Sequence, residues 1–266
     1  MIAGKIIKAQ VANKIIGLPF NIKKLGLTID VIKPCHFHDV AIFSSKIFSK
    51  EEPLCSYSKV SQSEYYQLTL ETLKHPDNAS LSIEIRNQSS DIVASCICEH
   101  VELGKFQKEI DSSAMSSSVY KILKLIQRSR IFYNDYYKKN NLSGNVEDFF
   151  MGSVSKEWRG KQLLTYLLLG ASIAGITKGY SRAITEETNL FSQRELVASG
   201  MKVLTSFNYA DFKVGEEKIF ENIDEVFTNL INSRSEKKYS HTAHACNLVE
   251  ASLEEILMTN SKKLKI

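Results

Sequence analysis

Residues 149–162 read Phe-Phe-Met-Gly-Ser-Val-Ser-Lys-Glu-Trp-Arg-Gly-Lys-Gln and run directly into an apolar segment with helical periodicity. The apolar start predicts a β-strand, and the run Arg159-Gly160-Lys161 predicts a turn ahead of a helix. One face of that helix carries apolar residues suited to packing on a sheet: Leu163, Leu164, Leu167, Leu168, Ala171 and Ala174. The first N–H groups of a helix are unpaired and partly positive, so this turn is suited to binding phosphate.

Gly152 interrupts the predicted strand, which indicates a β-bulge at this position. A bulge would splay the strand from its neighbour and expose backbone groups to a ligand. Further along the chain, a second strand leads to a helix start with two hydroxyl residues, Thr188 and Ser192, and the helix closes at Gly200. The order is therefore a strand, an anion-binding turn and a hydroxyl-bearing second helix start.

Composition limits the class of protein. The 266 residues are 43% hydrophobic, which is enough for a substantial core. The net charge is +4 with both signs scattered along the chain, so nucleic-acid binding is not required. The five cysteines are an odd number without metal-type spacing, no signal-peptide pattern is seen, and no apolar run approaches the ~18 residues of a membrane span. We therefore expect a soluble, cytoplasmic protein, with its oligomeric state open.

The chain divides into a short extension and one domain. Residues 1–26 are expected to be a basic N-terminal extension, because the first 29 residues hold five lysines and no acid. A membrane-touching arm or a transit sequence is an alternative, but the lack of Arg and Ser favours an extra element packed on the domain. Residues 27–266 mix strand and helix periodicity without a repeat or long linker, which indicates a single α/β domain.

Several elements follow from periodicity and capping residues. Residues 27–31 alternate as a strand, and a helix follows from Phe37. Ser61-Gln62-Ser63-Glu64 is a capping box that opens a second helix, which is expected to end near Pro76. The remaining predicted elements are a hairpin of residues 81–85 and 92–97, a loop over 107–118, a helix over 119–138, a strand over 203–207, and a strand or helix over 243–258.

Two segments resemble a known superfamily. Val154 to Lys161 resembles the strand-to-turn motif of the GCN5-related N-acetyltransferase (GNAT) superfamily, with a valine four residues before an aromatic-Arg-Gly run. Ser192 to Met201 is similar to the short helix of that superfamily that closes on glycine. The resemblance implies an α/β (α+β) GNAT fold, in which a mixed central sheet with a bulged, splayed strand is flanked by helices on both faces. It also implies acetyl-CoA as co-substrate, with its pantetheine arm paired at the splayed strand.

An upstream motif narrows the resemblance. Residues 47–54 read Ile-Phe-Ser-Lys-Glu-Glu-Pro-Leu and resemble a signature of the insect-type arylalkylamine (dopamine) N-acetyltransferases, which have relatives in nematodes. The likeness covers roughly residues 27–220. It implies direct acetyl transfer, in a ternary complex, to a primary amine such as dopamine, tyramine, octopamine, serotonin or tryptamine. Two alternatives stay open: another amine such as a polyamine, or a non-catalytic acyl-CoA-binding or regulatory protein of the same fold.

The resemblance also implies catalytic residues. Acetyl transfer needs a neutral amine, a polarised carbonyl and a proton for the thiolate. Glu52 is the expected general base with Glu51 as the fallback, and a solvated loop carboxylate is the competing interpretation. Ser192 and Thr188 are expected to contact the cofactor and transfer protons, although helix capping also accounts for hydroxyls at a helix start. Phe191 stands where many members have a tyrosine, so a tyrosine acid is absent there.

The cofactor site is expected along the strand end and the turn. Backbone N–H groups near Ser153 and Val154 should polarise the acetyl carbonyl. The predicted cofactor-binding residues are Ser153, Val154, Arg159, Gly160, Lys161, Gln162, Leu163 and Leu164. The superfamily usually shows Arg/Gln-x-x-Gly-x-Gly/Ala, so Gln162 and Leu164 replace small residues. A helical residue there tolerates a side chain if its φ is negative, and we expect reduced or adapted cofactor affinity.

No metal site is expected. Cys96 and Cys98 lie on one face of a strand, where buried apolar packing is the simpler interpretation. Two histidine pairs lack acidic or cysteine partners at ligand spacing: His36 with His38, and His241 with His244.

Overall fold

The computed structural model describes residues 9–11, 14–103, 116–223, 225–226, 228 and 245–265. Its strands are β1 (Ala9–Val11), β2 (Lys14–Ile16), β3 (Phe20–Ile22), β4 (Leu27–Val31), β5 (Ile83–Arg86), β6 (Ile92–Val101), β7 (Asn145–Val154), β8 (Tyr180–Glu187), β9 (Lys202–Asn208), β10 (Lys213–Val214), β11 (Glu217–Lys218) and β12 (Ala245–Ser252). The main sheet has the order β3-β4-β5-β6-β7-β8-β12-β9. Its neighbouring strands are antiparallel except for the parallel pair β7 and β8.

Helices cover both faces of this sheet. They are α1 (Phe37–Glu51), α2 (Pro53–Ser58), α3 (Gln62–Lys74), α4 (Pro76–Leu81), α5 (Ser117–Lys139), α6 (Leu163–Thr177), α7 (Leu190–Ala198) and α8 (Leu253–Leu264). Alternation along β6 divides the core: Cys96 and Cys98 face the cluster of α6 and α8, whereas Ile97 faces the cluster of α1 and α3. The predicted mixed sheet with helices on both faces is confirmed.

Local sequence signals set most helix boundaries. The predicted capping box is present, because Ser61 Oγ accepts from Glu64 N while the Glu64 carboxylate accepts from Ser61 N. Pro76 opens α4 as its first residue, and that short helix includes Leu81, which was predicted to lie in a strand. The predicted loop over 107–118 lies mostly outside the described residues, and Ser116 caps α5.

The bulge lies near Gly152 but not at it. Ile97 pairs with Met151 and Glu99 with Asp148, so β7 has one more residue than β6 between these pairs, at Phe149 or Phe150. Gly152 pairs in regular register, so the prediction of a bulge at this glycine is wrong. A Cβ at Gly152 would lie 3.4 Å from Leu164 Cδ1, so the missing side chain leaves room for α6.

The pairing of β7 and β8 ends directly before the bulge. Their paired residues run only from Asn145 with Tyr180 to Asp148 with Ile184, although both strands continue further. At the separation point, Arg130 of α5 donates to Asp148 at 2.6 Å and to Glu99 of β6 at 2.7 Å. Arg130 Nε also lies 3.9 Å from Glu186 of β8. Because this guanidinium contacts carboxylates from β6, β7 and β8, it links the three strands where β7 and β8 separate.

The two ends of the described chain complete the sheet. Residues 20–22, within the predicted extension, form the edge strand β3 beside β4. The segment predicted as a strand or a helix forms both: β12 inserts between β8 and β9, and α8 returns across α6. In the part of the chain that the structure describes, we find no helix with the length and apolar character needed to cross a membrane.

Candidate active site

A cavity of about 1110 Å³ opens where β7 and β8 separate. Its walls come from both strand ends, the α1–α2 junction, the turn before α6, the helix α5 and the start of α7. The cavity therefore places the predicted cofactor turn and the predicted base against one continuous space.

Glu52 is fixed at the junction of α1 and α2. It is the N-cap of α2, with Pro53 as the first helical residue, and its Oε2 accepts from Cys55 N at 2.6 Å. Its Oε1 accepts from the Thr188 hydroxyl at 2.6 Å. Both carboxyl oxygens are thus held by protein donors while the side chain lines the cavity. The structure brings these two predicted residues into contact, and Glu52 is not a freely solvated loop carboxylate.

Asn189, rather than Thr188 or Ser192, caps the helix α7. The Asn189 side chain accepts from Phe191 N at 2.9 Å, and α7 begins at Leu190. Ser192 lies in the first turn, where its hydroxyl donates to the Asn189 carbonyl at 2.9 Å. Asn189 therefore performs the capping, and the two hydroxyl residues both line the cavity.

The Arg159 guanidinium is engaged by other groups of the protein. Its Nη2 donates to Glu51 Oε2 at 2.6 Å, and its guanidinium also contacts the Val154 carbonyl at 3.3 Å. This ion pair joins the end of α1 to the turn before α6. Glu51, the fallback base, is therefore engaged with the cofactor turn, whereas Glu52 is engaged with Thr188.

The turn itself has two residues in the left-handed region. Gly160 has φ +74°, and Gln162, the N-cap of α6, has φ +60°. A negative φ, the condition under which a side chain is tolerated here, is not met at Gln162. For a residue with a Cβ the left-handed conformation costs on the order of 1 kcal/mol. Its side chain is exposed, whereas Leu164 reaches across to β7. Lys161 Nζ lies 4.1 Å from the Trp158 ring centroid.

Sheet register decides which backbone N–H groups face the cavity. Ser155 N donates to Val93 O at 3.0 Å, so the alternating antiparallel pattern makes Ser153 and Ser95 a hydrogen-bonded pair. Val154 lies between the hydrogen-bonded positions Ser153 and Ser155. Its N–H therefore points away from β6, into the gap where β7 and β8 separate, which we call the splay. Of the two predicted positions, Val154 offers a donor to the cavity, and Ser153 uses its N–H within the sheet.

The rest of the cavity wall includes an apolar surface opposite the strand ends. Its residues come from α1, α3, α5 and the bulge: Phe48, Leu68, Val119, Ile122, Ile126 and Phe150. This surface suits the apolar body of a ligand whose polar end lies near Glu52.

Cys55 also lines the cavity, and its surroundings disfavour nucleophilic chemistry. The residue is 1% exposed, and burial together with the Glu52 carboxylate raises the pKa of its thiol well above the ordinary value. A neutral thiol is a poor nucleophile, so an acyl-cysteine intermediate has no support here.

Glu187 is a cavity residue that the sequence interpretation missed. Removal from solvent raises the pKa of its carboxyl to about 7, Ser192 and Thr185 oppose the shift, and Asp148 and Glu52 add to it. A carboxyl that titrates near neutrality is suited to proton transfer. The available signal was its position at the end of a strand directly before Thr188.

No metal centre is found in residues that the structure describes, since no group of three or more His, Cys, Asp and Glu is arranged to hold an ion. The Cys96 and Cys98 sulfurs are 3.8 Å apart and buried. His36 contacts Glu84 at 2.5 Å, and His38 contacts the Tyr66 hydroxyl at 2.6 Å. The second histidine pair, at positions 241 and 244, lies outside the described residues.

Comparisons with known proteins agree with this architecture. No protein-family model matches the chain, and no curated protein matches it in sequence. Among solved structures, arylalkylamine N-acetyltransferase 2 from Aedes aegypti is 19% identical, with a TM-score of 0.66 over 85% of this chain and 99% of its own. The Drosophila melanogaster polyamine N-acetyltransferase, which forms N-acetylagmatine, is 11% identical, with a TM-score of 0.67 and the same coverage of both chains. Mosquito arylalkylamine N-acetyltransferase-like 5b is 13% identical, with a TM-score of 0.68 and the same coverage of both chains.

The similarity to these solved structures concerns the fold. The chain has the fold of the GCN5-related N-acetyltransferase superfamily, so the predicted fold is confirmed. Among these neighbours, the named amines differ between arylalkylamines and a polyamine.

Proposed function

We propose that this protein is an acetyl-CoA-dependent N-acetyltransferase that acts on a primary amine in the cytoplasm. The observation that carries the proposal is that the outward Val154 N–H and the Glu52–Thr188 pair face one continuous cavity, in the splay between β7 and β8. Strand separation beside a helix start is the arrangement needed to hold a thioester arm and its pyrophosphate.

The residues have complementary roles in a direct transfer. Glu52 accepts a proton from the substrate ammonium, either directly or through water, and so generates the neutral amine nucleophile. The Val154 N–H stabilises the negative charge that develops on the acetyl oxygen. The pyrophosphate rests on the start of α6, where unpaired N–H groups and the positive helix end favour an anion. Because Cys55 is held neutral, the amine attacks the thioester itself within a ternary complex.

An arylalkylamine is the acceptor that the cavity favours. The apolar surface of α5 and the bulge offers contact to an aromatic ring, while Glu52 lies at the polar end. A polyamine would leave that apolar surface without a matching group, although one structural neighbour is named for polyamine acetylation. Dopamine, tyramine, octopamine, serotonin and tryptamine are therefore the first substrates to test.

The turn favours a second candidate, a non-catalytic acyl-CoA-binding protein. Gln162 holds a left-handed conformation, Leu164 leans toward Gly152, and Arg159 is paired with Glu51. The ion pair engages the charge of Arg159, and the two side chains stand where the superfamily usually has small residues. A regulatory protein that kept the fold and lost turnover would show these substitutions.

Two measurements separate the candidates. Isothermal titration with acetyl-CoA measures binding, and a thiol-release assay across aromatic amines and polyamines measures turnover. The enzyme proposal predicts binding, followed by thiol release that requires an aromatic amine. Binding without turnover on any amine would support the regulatory alternative, and no binding at millimolar acetyl-CoA would reject both.

A further inference from the structure

The proposed reaction needs one group to take a proton from the amine and another to give a proton to the departing thiolate. Glu52 supplies the first, and Phe191, which lines the same part of the cavity, has no hydroxyl for the second. We propose that Glu187, in its carboxylic acid form, donates the proton to the thiolate through the Ser192 hydroxyl. This inference rests on the proposed function.

Position places Glu187 in the reaction space. It is the last residue of β8, beyond the point where β8 separates from β7, and it lines the cavity together with Ser192 and Glu52. Gln193 Nε2 donates to the Glu187 carbonyl at 2.9 Å and to the Ala245 carbonyl at 3.1 Å. The backbone that carries the carboxyl is therefore held between α7 and β12.

Two hydroxyls contact the Glu187 carboxyl. Thr185 Oγ1 donates to Glu187 Oε1 at 3.1 Å and also contacts the Phe149 carbonyl at 2.9 Å. The Ser192 hydroxyl, which donates to the Asn189 carbonyl at 2.9 Å, also contacts the Glu187 carboxyl. The second contact joins Glu187 to a hydroxyl at the start of α7, so a proton can pass from the carboxyl to the cavity through Ser192.

Burial and neighbouring acids favour the protonated form of Glu187 and outweigh the two hydroxyl contacts. Asp148 on β7 and Glu52 before α2 both act on Glu187 as neighbouring acids and raise its pKa, in addition to burial. Two further ionisable side chains near it are buried: Cys246 on β12 and Tyr209 after β9, whose own pKa values are raised. With a pKa of about 7, Glu187 can both lose and regain a proton near neutral pH.

The proton transfers balance over one turnover. Glu52 takes one proton from the ammonium and releases it to water. The amine nitrogen then bonds to the acetyl carbon, the carbon–sulfur bond breaks, and sulfur keeps the electron pair. Ser192 gives its proton to sulfur while accepting one from Glu187. The Glu187 carboxylate finally recovers the remaining excess proton from the acetylated nitrogen, so it ends the cycle protonated.

The direct test is the pH dependence of kcat for Glu187→Gln. Wild-type kcat should fall above about pH 7, because the acid is then lost. In the variant, kcat should be lower by about 100-fold and the fall above neutral pH should vanish. Acetyl-CoA affinity, measured by titration, should stay within about threefold, which shows that the site is folded. Glu71→Gln, on the exposed face of α3, is the matched control and should resemble wild type.

A second variant separates proton donation from a structural role. Adding Phe191→Tyr to Glu187→Gln supplies a phenol from α7 and should recover about tenfold of the lost rate. If Glu187→Gln retains kcat within about twofold with an unchanged pH profile, or if the added phenol recovers nothing, the inference is wrong. Wild type without amine-dependent thiol release would instead reject the proposed function, and this inference with it.

Discussion

The two ends of the cavity differ in how their residues are held. At the end where we propose that the amine binds (the amine end), each carboxyl oxygen of Glu52 accepts a hydrogen bond from a protein donor. Glu52 is also the N-cap of α2, which begins with a proline. At the cofactor end, Gln162 holds a backbone conformation suited to glycine, and the nearby arginine is engaged by Glu51. The difference teaches that the side chains proposed for proton transfer are held in fixed positions. The proposed cofactor binding depends instead on backbone N–H groups, beside two side chains bulkier than glycine.

The largest effect is expected at the amine end. Glu52→Gln keeps the shape of the side chain and removes the base, so kcat should fall by roughly 100- to 1000-fold. Acetyl-CoA affinity should be nearly unchanged, because the Glu52 carboxyl binds Cys55 N and Thr188 rather than a residue of the turn. Steady-state kinetics and titration check both values. A variant with full kcat across pH would show that Glu52 is not the base.

A buried carboxyl that does not line the cavity is expected to affect the stability of the fold. Glu147 is fully buried against Gly175 of α6, and neither of its carboxyl oxygens has a hydrogen-bond partner among the described residues. Burial raises its pKa well above the ordinary value, so its contribution is fully present below about pH 4.5 and is lost as pH rises toward the raised folded-state pKa.

Glu147→Gln removes this pH dependence. The variant should have a higher Tm than wild type at pH 8, and the gain should disappear at pH 4. Thermal unfolding at the two pH values measures it, with Glu71→Gln as an exposed control. Equal gains at both pH values would mean that packing, and not ionisation, explains the difference.

A smaller effect is expected from restoring glycine to the turn. Gln162→Gly should lower the Kd for acetyl-CoA about fivefold, which corresponds to about 1 kcal/mol. Stability should change little, because relief of left-handed strain offsets the greater freedom of glycine in the unfolded chain. Ser90→Gly is the matched control, since Ser90 has φ +66° in the β5–β6 turn. Weaker binding by Gln162→Gly would show that the glutamine side chain contacts the cofactor.

The smallest effect should come from the link between the two ends. Glu51→Gln releases Arg159 from its ion pair, so the guanidinium becomes available to phosphate, and the Kd for acetyl-CoA should fall about threefold. The change should shrink at high salt, because exposed charges are screened. Titration at two ionic strengths measures it. Weaker binding would instead mean that the pair holds the turn in its binding shape.

Sequence patterns predicted the elements whose causes are local. The capping box at Ser61, the apolar stripe of α6 and the alternation of β4 depend on neighbouring residues, and they were found as expected. The bulge was misplaced, because the register that defines it depends on β6, some 50 residues earlier. The position of β12 between β8 and β9 also depends on pairing with strands distant in sequence, which local patterns do not indicate.

The candidate site shows the same difference between features with local causes and features with long-range causes. A motif indicated Glu52, and the structure places it against Thr188 from a distant segment. Glu187 was missed, because its raised pKa depends on burial and on Asp148, which the fold brings near. The left-handed φ of Gln162 was also missed, since glutamine gives no local signal for it.

The most direct test of the account is a crystal structure of the protein with coenzyme A. We predict that the pyrophosphate lies on the turn of residues 160–164, and that the sulfur lies in the splay, beside the Val154 N–H and facing Ser192 and Glu52. Coenzyme A bound elsewhere, or a splay that stays empty at millimolar coenzyme A, would contradict the claim that this cavity is an acetyl-transfer site.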